Sequence, residues 1–102
     1  FSHFPPALRD IAVVVPESMP AGKVEAIIDT CARGALSGEM EVESLRVFDI
    51  YRGEGLPEGH KSVACKLVFR HPERTLQDKE VNAVFQSILD DLEGQDAIRV
   101  RR

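Results

Sequence analysis

The chain has 102 residues, 43% of them hydrophobic, and a formal net charge of −4, which predicts one compact domain that buries its own core without metals or disulfides. The negative charge argues against a nonspecific nucleic-acid binder, although it leaves room for a local basic patch. No apolar run approaches the roughly 20 residues of a membrane span, and no basic-then-apolar leader opens the chain, so we expect a soluble, cytoplasmic protein with no membrane partner. Phe1 rather than Met stands first, so we expect residues 1–102 to be a processed chain or a segment cut from a longer protein.

The first third of the chain predicts a strand followed by a helix. Residues 1–8 contain two prolines and are expected to form an extended lead-in. The β-branched run 11–15 ends at Pro16 and predicts a strand. Pro20 suits the first turn of a helix, and glycines 34 and 38 are plausible ends for it. Apolar residues recur at helical spacing between these points, as one stripe made of Val24, Ile27, Ile28, Cys31 and Ala35.

The rest of the chain predicts a hairpin, a second helix and a last strand. Residues 39–43 are expected to be a connection, followed by strands from about 44 to 52 and from 61 to 70 around a glycine-rich loop. The second helix can be capped by Thr75 with Asp78 or by Gln77 with Glu80. After Gly94, residues 97–101 alternate as a short final strand.

Together these elements predict an α+β, ferredoxin-like βαββαβ fold: a four-stranded antiparallel sheet with both helices on one face. The other sheet face is then uncovered. Alternation assigns to it Ala12, Val14, Val47, Asp49, Tyr51, Ser62, Ala64, Lys66, Val68, Arg99 and Arg101.

This uncovered face has the composition of a base-binding surface. Alternation places Phe48 and Ile50 toward the core and Asp49 and Tyr51 away from it. A symmetrical hairpin sets Tyr51 opposite Ser62 and Asp49 opposite Ala64. The tyrosine offers a stacking surface, Ser62 can bond a base edge, and a carboxylate, which only accepts, favours the paired N–H donors of guanine. Phosphates are expected to contact three cations, namely Lys66, Arg99 and Arg101.

Each of these residues also has an ordinary structural interpretation. Tyr51 is a common strand residue, and Asp49 can simply pair with Lys66 or Arg101. The basic run 99–102 can be a solubilising tail. From the residues alone, both interpretations stay open.

Catalysis and metal binding find little support in the sequence. Cys31 and Cys65 lack C-x-x-C spacing and are expected to be buried apolar residues. The run 59–62 (G-H-K-S) is not a phosphate loop, because a strand follows it where a helix is required. We therefore expect no catalytic centre, no metal and no cofactor in this segment.

Several motifs, taken in order, resemble the ferredoxin-fold anticodon-binding domain that closes the beta subunit of bacterial phenylalanyl-tRNA synthetase. The resemblance covers nearly the whole chain. It rests on Phe4-Pro5, Arg9-Asp10-Ile11-Ala12, Phe48-Asp49-Ile50-Tyr51-Arg52-Gly53-Glu54-Gly55, Pro57-Glu58-Gly59-His60-Lys61-Ser62, Pro72-Glu73-Arg74-Thr75-Leu76 and Glu80-Val81-Asn82.

The resemblance implies a tRNA(Phe) anticodon as partner, with no DNA, and a parent αβ heterotetramer that attaches phenylalanine using ATP and magnesium. It implies that Asp49, Tyr51 and Ser62 contact the first anticodon base, a guanine. Leu8 departs from the family, which often has a second basic residue there.

Two other functional classes fit the same predicted topology. A small-molecule regulatory domain would bind an amino acid near the first strand–helix junction, around Glu17 to Gly22, where we expect no fixed cation. An acylphosphatase-like enzyme would need an arginine in a phosphate-cradling loop after the first strand, and Pro16 to Pro20 contains none.

Overall fold

The computed structural model describes residues 4–101, in which strands and helices follow the predicted order. The elements are β1 (Ala7–Pro16), α1 (Ala21–Ala35), β2 (Glu41–Tyr51), β3 (His60–Arg70), α2 (Asp78–Glu93) and β4 (Arg99–Val100). The strands form one antiparallel sheet in the order β2-β3-β1-β4. The predicted α+β ferredoxin-like fold is therefore confirmed.

Three element boundaries differ from the predicted ones. β1 begins at Ala7, two residues inside the expected lead-in, of which residues 1–3 lie outside the described part. β2 begins at Glu41 rather than near Ser44, so three of the five residues of the expected connection are strand. β4 has only two residues, although the N–H of Arg101 continues its ladder with a 2.7 Å hydrogen bond to the carbonyl of Ala12.

The hydrophobic core lies on one side of the sheet, under both helices. Side chains at odd positions of β3 and β1 point into it, and the apolar stripes of α1 and α2 pack against them. Its largest fully buried side chain is Phe69, in β3. Because both helices cover the same side, the opposite side of the sheet has no helix over it.

The two cysteines belong to this core, as predicted. Both are free and buried. Burial raises the pKa of the Cys65 thiol to about 11, with a smaller contribution from the Glu25 carboxylate. A thiol in that environment stays protonated near neutral pH and is a poor nucleophile. No helix within residues 4–101 is long and apolar enough to cross a membrane.

The second helix starts with one of the two predicted caps. The Gln77 and Glu80 pair forms a capping box, in which the Glu80 carboxylate accepts a 2.8 Å hydrogen bond from the Gln77 backbone N–H. The same carboxylate accepts two hydrogen bonds from Arg74, at 2.6 and 2.9 Å. Arg74, and then the Gln77 N–H, lower the pKa of Glu80 from 4.5 to about 2.

This pKa shift predicts a pH-dependent contribution to stability. Because the carboxylate is favoured in the folded state, its contribution is fully present above pH 4.5 and is lost as the pH falls toward 2. We expect Glu80→Gln to unfold at lower urea concentration than the wild type at pH 7, and the gap to close on acidification. Urea titrations across that range, with the exposed loop variant Glu58→Gln as control, measure the gap. A constant gap at every pH would contradict the assignment.

Candidate nucleic-acid interface

The sheet side without helices, called the open face below, is ordered by the strand register into rows. Residues opposite each other in an antiparallel pair share a face, so the register identifies the members of each row directly. The row nearest the hairpin loop is Tyr51, Ser62, Val14 and Arg99; the next is Asp49, Ala64 and Ala12; the third is Arg46, Lys66 and Asp10. Val68, flanked by Ser44 and Leu8, makes a fourth.

The pairing of β2 with β3 is interrupted twice, at Glu43 and at Phe48, and the β-bulge at Phe48 changes which residues reach the open face. Val47 pairs with Cys65 and Asp49 pairs with Ala64, so Phe48 is an extra residue on β2. Two of the predicted assignments are therefore wrong. Val47, expected on the open face, packs against the core, and Phe48, expected in the core, is 54% exposed. Ile50, also expected in the core, stands opposite Val63 on the core side but is 37% exposed and lies outside the core cluster. The ring of Phe48 lies beside Lys66, whose Nζ is 5.3 Å from the ring centroid.

Glu25, on α1, holds this bulge from beneath the sheet. Its carboxylate accepts a 3.0 Å hydrogen bond from the backbone N–H of Val47. A bulge disrupts the hydrogen-bond ladder locally, and a buried N–H without an acceptor is costly. The hydrogen bond to Glu25 therefore stabilises the bulge, which places Phe48 and Asp49 side by side on the open face.

Tyr51 is held in place at both its hydroxyl and its ring. The hydroxyl donates a 3.0 Å hydrogen bond to the carbonyl of Glu54, in the hairpin loop. Gly53 lies against this hydroxyl with φ of +136°, and a Cβ there would sit 3.3 Å from the tyrosine oxygen. Across the sheet, the guanidinium carbon of Arg101 lies 5.2 Å from the ring centroid, a cation–π contact.

Ser62 and Val14 are buried although they lie on the open face. Ser62 is 3% exposed, and Val14 is buried without being part of the hydrophobic core. Both lie on β3 and β1, the strands that separate Tyr51 on β2 from Arg101 just after β4, so the contact between these two long side chains spans the strands that carry them. Within residues 4–101 the Ser62 hydroxyl forms no hydrogen bond. Every fully buried side-chain oxygen or nitrogen of these residues does have a hydrogen-bond partner, so the Ser62 hydroxyl is not fully buried and retains some contact with solvent.

Asp49 is an unpaired acidic group on this face. Its two expected partners are engaged elsewhere: Lys66 forms a 3.2 Å ion pair with Asp10, and Arg101 stacks on Tyr51. In the described part of the chain no hydrogen bond or ion pair reaches the Asp49 carboxylate. The simple ion-pair interpretation of this residue is therefore wrong, and its oxygens are available as acceptors.

Cations outnumber carboxylates on the open face, although the whole chain is acidic. Arg99 is exposed beside Val14, and Arg46 is exposed opposite Lys66. Arg99 and Arg101 also border a cleft of about 910 Å³ between the hairpin loop and β4. Arg102, the end of the predicted basic run, lies outside the described residues. Toward the hairpin loop, the cationic side chains of this face are Arg46, Lys66, Arg99 and Arg101, against the carboxylates Asp10 and Asp49. At the far end of the sheet, Arg70 stands opposite Glu41 and forms an ion pair with Glu43.

The register brings together the predicted site residues and adds two. Tyr51, Ser62, Asp49 and Ala64 lie in adjoining rows, as predicted. Phe48 and Arg46 were missed, Phe48 because strict alternation counts it toward the core. A single sequence gives no sign of a bulge at Phe48-Asp49, because a large apolar residue followed by an acidic one also fits a regular alternating strand.

The strand–helix junction after β1 contains a cation that the sequence did not predict. Arg52 binds Glu17 there with hydrogen bonds of 2.7 to 3.0 Å, and this contact lowers the pKa of the Glu17 carboxyl. The expectation of a junction without a fixed cation is thus wrong. The guanidinium is nevertheless committed to a carboxylate of the chain, which leaves it a poor anchor for an amino acid.

The fold and this face define a class of protein: a small α+β module with an aromatic, hydrogen-bonding and cationic sheet surface. The family model for the ferredoxin-fold anticodon binding domain matches residues 2–101. The chain therefore belongs to the ferredoxin-fold anticodon-binding domain family.

Curated relatives carry one name. The chain is 41% identical over 99 residues to the phenylalanine–tRNA ligase beta subunit of Thermotoga maritima, covering 97% of this chain and 12% of that protein. It is 40% identical over 101 residues to the Synechococcus protein of the same name, covering 99% and 12%. The Corynebacterium efficiens protein is 48% identical over 81 residues, covering 79% and 9%. The chain thus spans about an eighth of the length of the first two relatives.

Proposed function

We propose that this chain reads the anticodon of tRNA(Phe) as a domain of a phenylalanine–tRNA ligase beta subunit. The first anticodon base, a guanine, stacks on Tyr51 and presents its Watson–Crick edge to Asp49 and Ser62. The parent enzyme, a cytoplasmic αβ heterotetramer, attaches phenylalanine to the bound tRNA. The domain contributes recognition and no chemical step.

The unpaired carboxylate of Asp49 is the observation that carries this proposal. It lies one row from a stacking ring and from the unbonded Ser62 hydroxyl. A carboxylate accepts two hydrogen bonds and repels phosphate, so it suits a base with adjacent N–H donors. Guanine has two such donors on its Watson–Crick edge. The small side chains of Ala64 and Ala12 leave room above the neighbouring strands for the base.

ATP and magnesium belong, in this proposal, to the rest of the parent ligase. Residues 4–101 contain no cluster of three His, Cys, Asp or Glu side chains suited to a metal ion.

Truncating the stacking ring tests the proposal. We expect Tyr51→Ala, in the beta subunit of the complete ligase, to lower kcat/KM for tRNA(Phe) by about 5- to 30-fold, since stacking contributes about 1 to 3 kcal/mol per base. The stacking free energy should fall in the lower part of that range because the base must compete with Arg101 for the tyrosine ring. The loss should appear mainly in KM for tRNA.

Two controls separate recognition from general damage. ATP-dependent activation of phenylalanine, measured without tRNA, should be unchanged in Tyr51→Ala. Tyr51→Phe, which loses the bond to the Glu54 carbonyl but keeps the ring, should retain most of the tRNA affinity. If Tyr51→Ala charges tRNA(Phe) with wild-type kinetics, the open face does not bind the anticodon.

A further inference from the structure

Phe48 is the most exposed large hydrophobic side chain in the described residues, and the function proposed above does not use it. Its 54% exposure exceeds that of Tyr51, at 38%. The bulge places it next to Asp49, on the face that carries Tyr51, rather than in the core. Apart from its contact with Lys66, this ring is open to solvent and can take a partner from outside the domain.

The surroundings of Phe48 match those of a stacking site for single-stranded nucleic acid. Lys66 lies over the ring, and Arg46 stands opposite Lys66 on the neighbouring strand. Arg46 has no hydrogen bond or ion pair within the described chain, so its charge is not neutralised locally. Single-strand binding sites combine the same parts, namely an aromatic platform for the base and cations along the backbone.

The spacing along β2 sets how the nucleotides must lie. Phe48 and Tyr51 are three residues apart, which is about 10 Å in a regular strand at ~3.3 Å per residue and remains well above the spacing of stacked bases after the shortening at the bulge. Bases stacked on each other are separated by roughly 3.4 Å. Two rings this far apart therefore bind two bases that have been unstacked and spread over the sheet, as in sequence-specific recognition of single-stranded RNA.

We propose that Phe48 stacks the base adjacent to the guanine, and that Arg46 and Lys66 bind the phosphate beside it. This second site rests on the proposed function, because it extends the same RNA strand across the open face. Asp49 lies between the two rings and repels phosphate, whereas Arg46 and Lys66 attract it. The two effects together direct the RNA backbone away from the Watson–Crick edge of the guanine.

Fluorescent tRNA(Phe) bound to the complete ligase tests this second site. The probe is 2-aminopurine, placed in separate transcripts on either side of the first anticodon base. We expect quenching on binding at one of the two positions with the wild-type enzyme. Phe48→Leu should abolish that quenching and weaken binding at least about fivefold, whereas Phe48→Tyr should keep both. Leu8→Ala, which truncates another exposed apolar residue two rows away on the same face, should change neither.

The phosphate contact has its own measurement. Each phosphate contact to a single strand adds about 0.7 to the slope of log K against log salt concentration. We expect Arg46→Gln to reduce the slope for tRNA binding by roughly this amount. Lys23→Gln, which removes an exposed cation on α1, under the other face of the sheet, should leave the slope unchanged.

The outcomes distinguish this proposal from the one on which it rests. If Phe48→Leu binds and quenches like the wild type while Tyr51→Ala binds weakly, the second site is wrong and guanine recognition stands. If neither variant changes binding, both proposals fall. If Phe48→Leu impairs assembly of the ligase and leaves the quenching intact, Phe48 contacts protein rather than RNA.

Discussion

Replacing Phe69 with alanine is expected to lower the free energy of unfolding by about 3 to 5 kcal/mol, the usual cost of removing a buried aromatic ring. Phe69 is fully buried in the middle of the sheet, between Ala7 of β1 and Val42 of β2. A small neighbour such as Ala7 cannot fill the space that the ring leaves. Because domains are stable by only about 5 to 15 kcal/mol, the loss is a large fraction of the total.

Phe48→Ala is the matched control, since it truncates the same residue type in the same sheet on the opposite face. We expect its effect to stay within about 0.5 kcal/mol, as for other exposed positions. Urea denaturation of both variants, followed by circular dichroism, measures the difference. Equal costs at Phe48 and Phe69 would mean that Phe48 lies in the core and that the bulge is misplaced.

This pair of phenylalanines also marks how far alternation predicts the sheet. In β3 the strict period of two assigned every side chain to its correct face, because a regular strand alternates without interruption. In β2 the same rule failed at Val47 and Phe48, where one inserted residue shifts the alternation by one. A period-based argument is therefore correct only within a stretch of strand that no bulge interrupts.

The support for the bulge depends on a contact between residues far apart in sequence. Glu25 lies 22 residues before the Val47 N–H that it binds, on a helix beneath the sheet. Its position in the α1 sequence predicts only a polar residue at the edge of an apolar stripe. Such side-chain contacts depend on tertiary packing, which a single sequence does not specify.

The candidate site was largely predictable because the hairpin determines it locally. The glycine-rich loop sets Tyr51 opposite Ser62 and Asp49 opposite Ala64, as predicted. The contact between Arg101 and Tyr51 was not predictable, since it spans the width of the sheet. Sequence reasoning had assigned Arg101 to phosphate, whereas in the free domain its guanidinium occupies the stacking surface.

The contact between Arg101 and Tyr51 affects how a base can bind to the ring. A base that stacks on the same side of Tyr51 must displace Arg101, and the displaced guanidinium then becomes available to a phosphate. The cation–π contact that is lost contributes roughly 0.5 to 1 kcal/mol at an exposed site, so the displacement lowers affinity only modestly. Arg101 would therefore exchange one partner for another on binding RNA.

Changing Asp49 to asparagine is expected to reverse the base preference of the open face. The carboxylate accepts from both N–H groups on the Watson–Crick edge of guanine, whereas an amide presents one acceptor and one donor. Hydrogen bonds to charged groups contribute about 1.5 to 3 kcal/mol, so kcat/KM for tRNA(Phe) should fall roughly 10- to 150-fold. Adenine has one donor and one acceptor on that edge and therefore matches the amide. We expect Asp49→Asn to use a tRNA with adenine at the first anticodon position at least as well as it uses tRNA(Phe).

The measurement is aminoacylation of the two tRNAs by the complete ligase, reported as the ratio of their kcat/KM values. Asp10→Asn removes the carboxylate of the next row on this face, which is paired with Lys66, and should shift both tRNAs equally without changing the ratio. If Asp49→Asn preserves the wild-type ratio, Asp49 does not read the base edge, and its unpaired carboxylate needs another explanation.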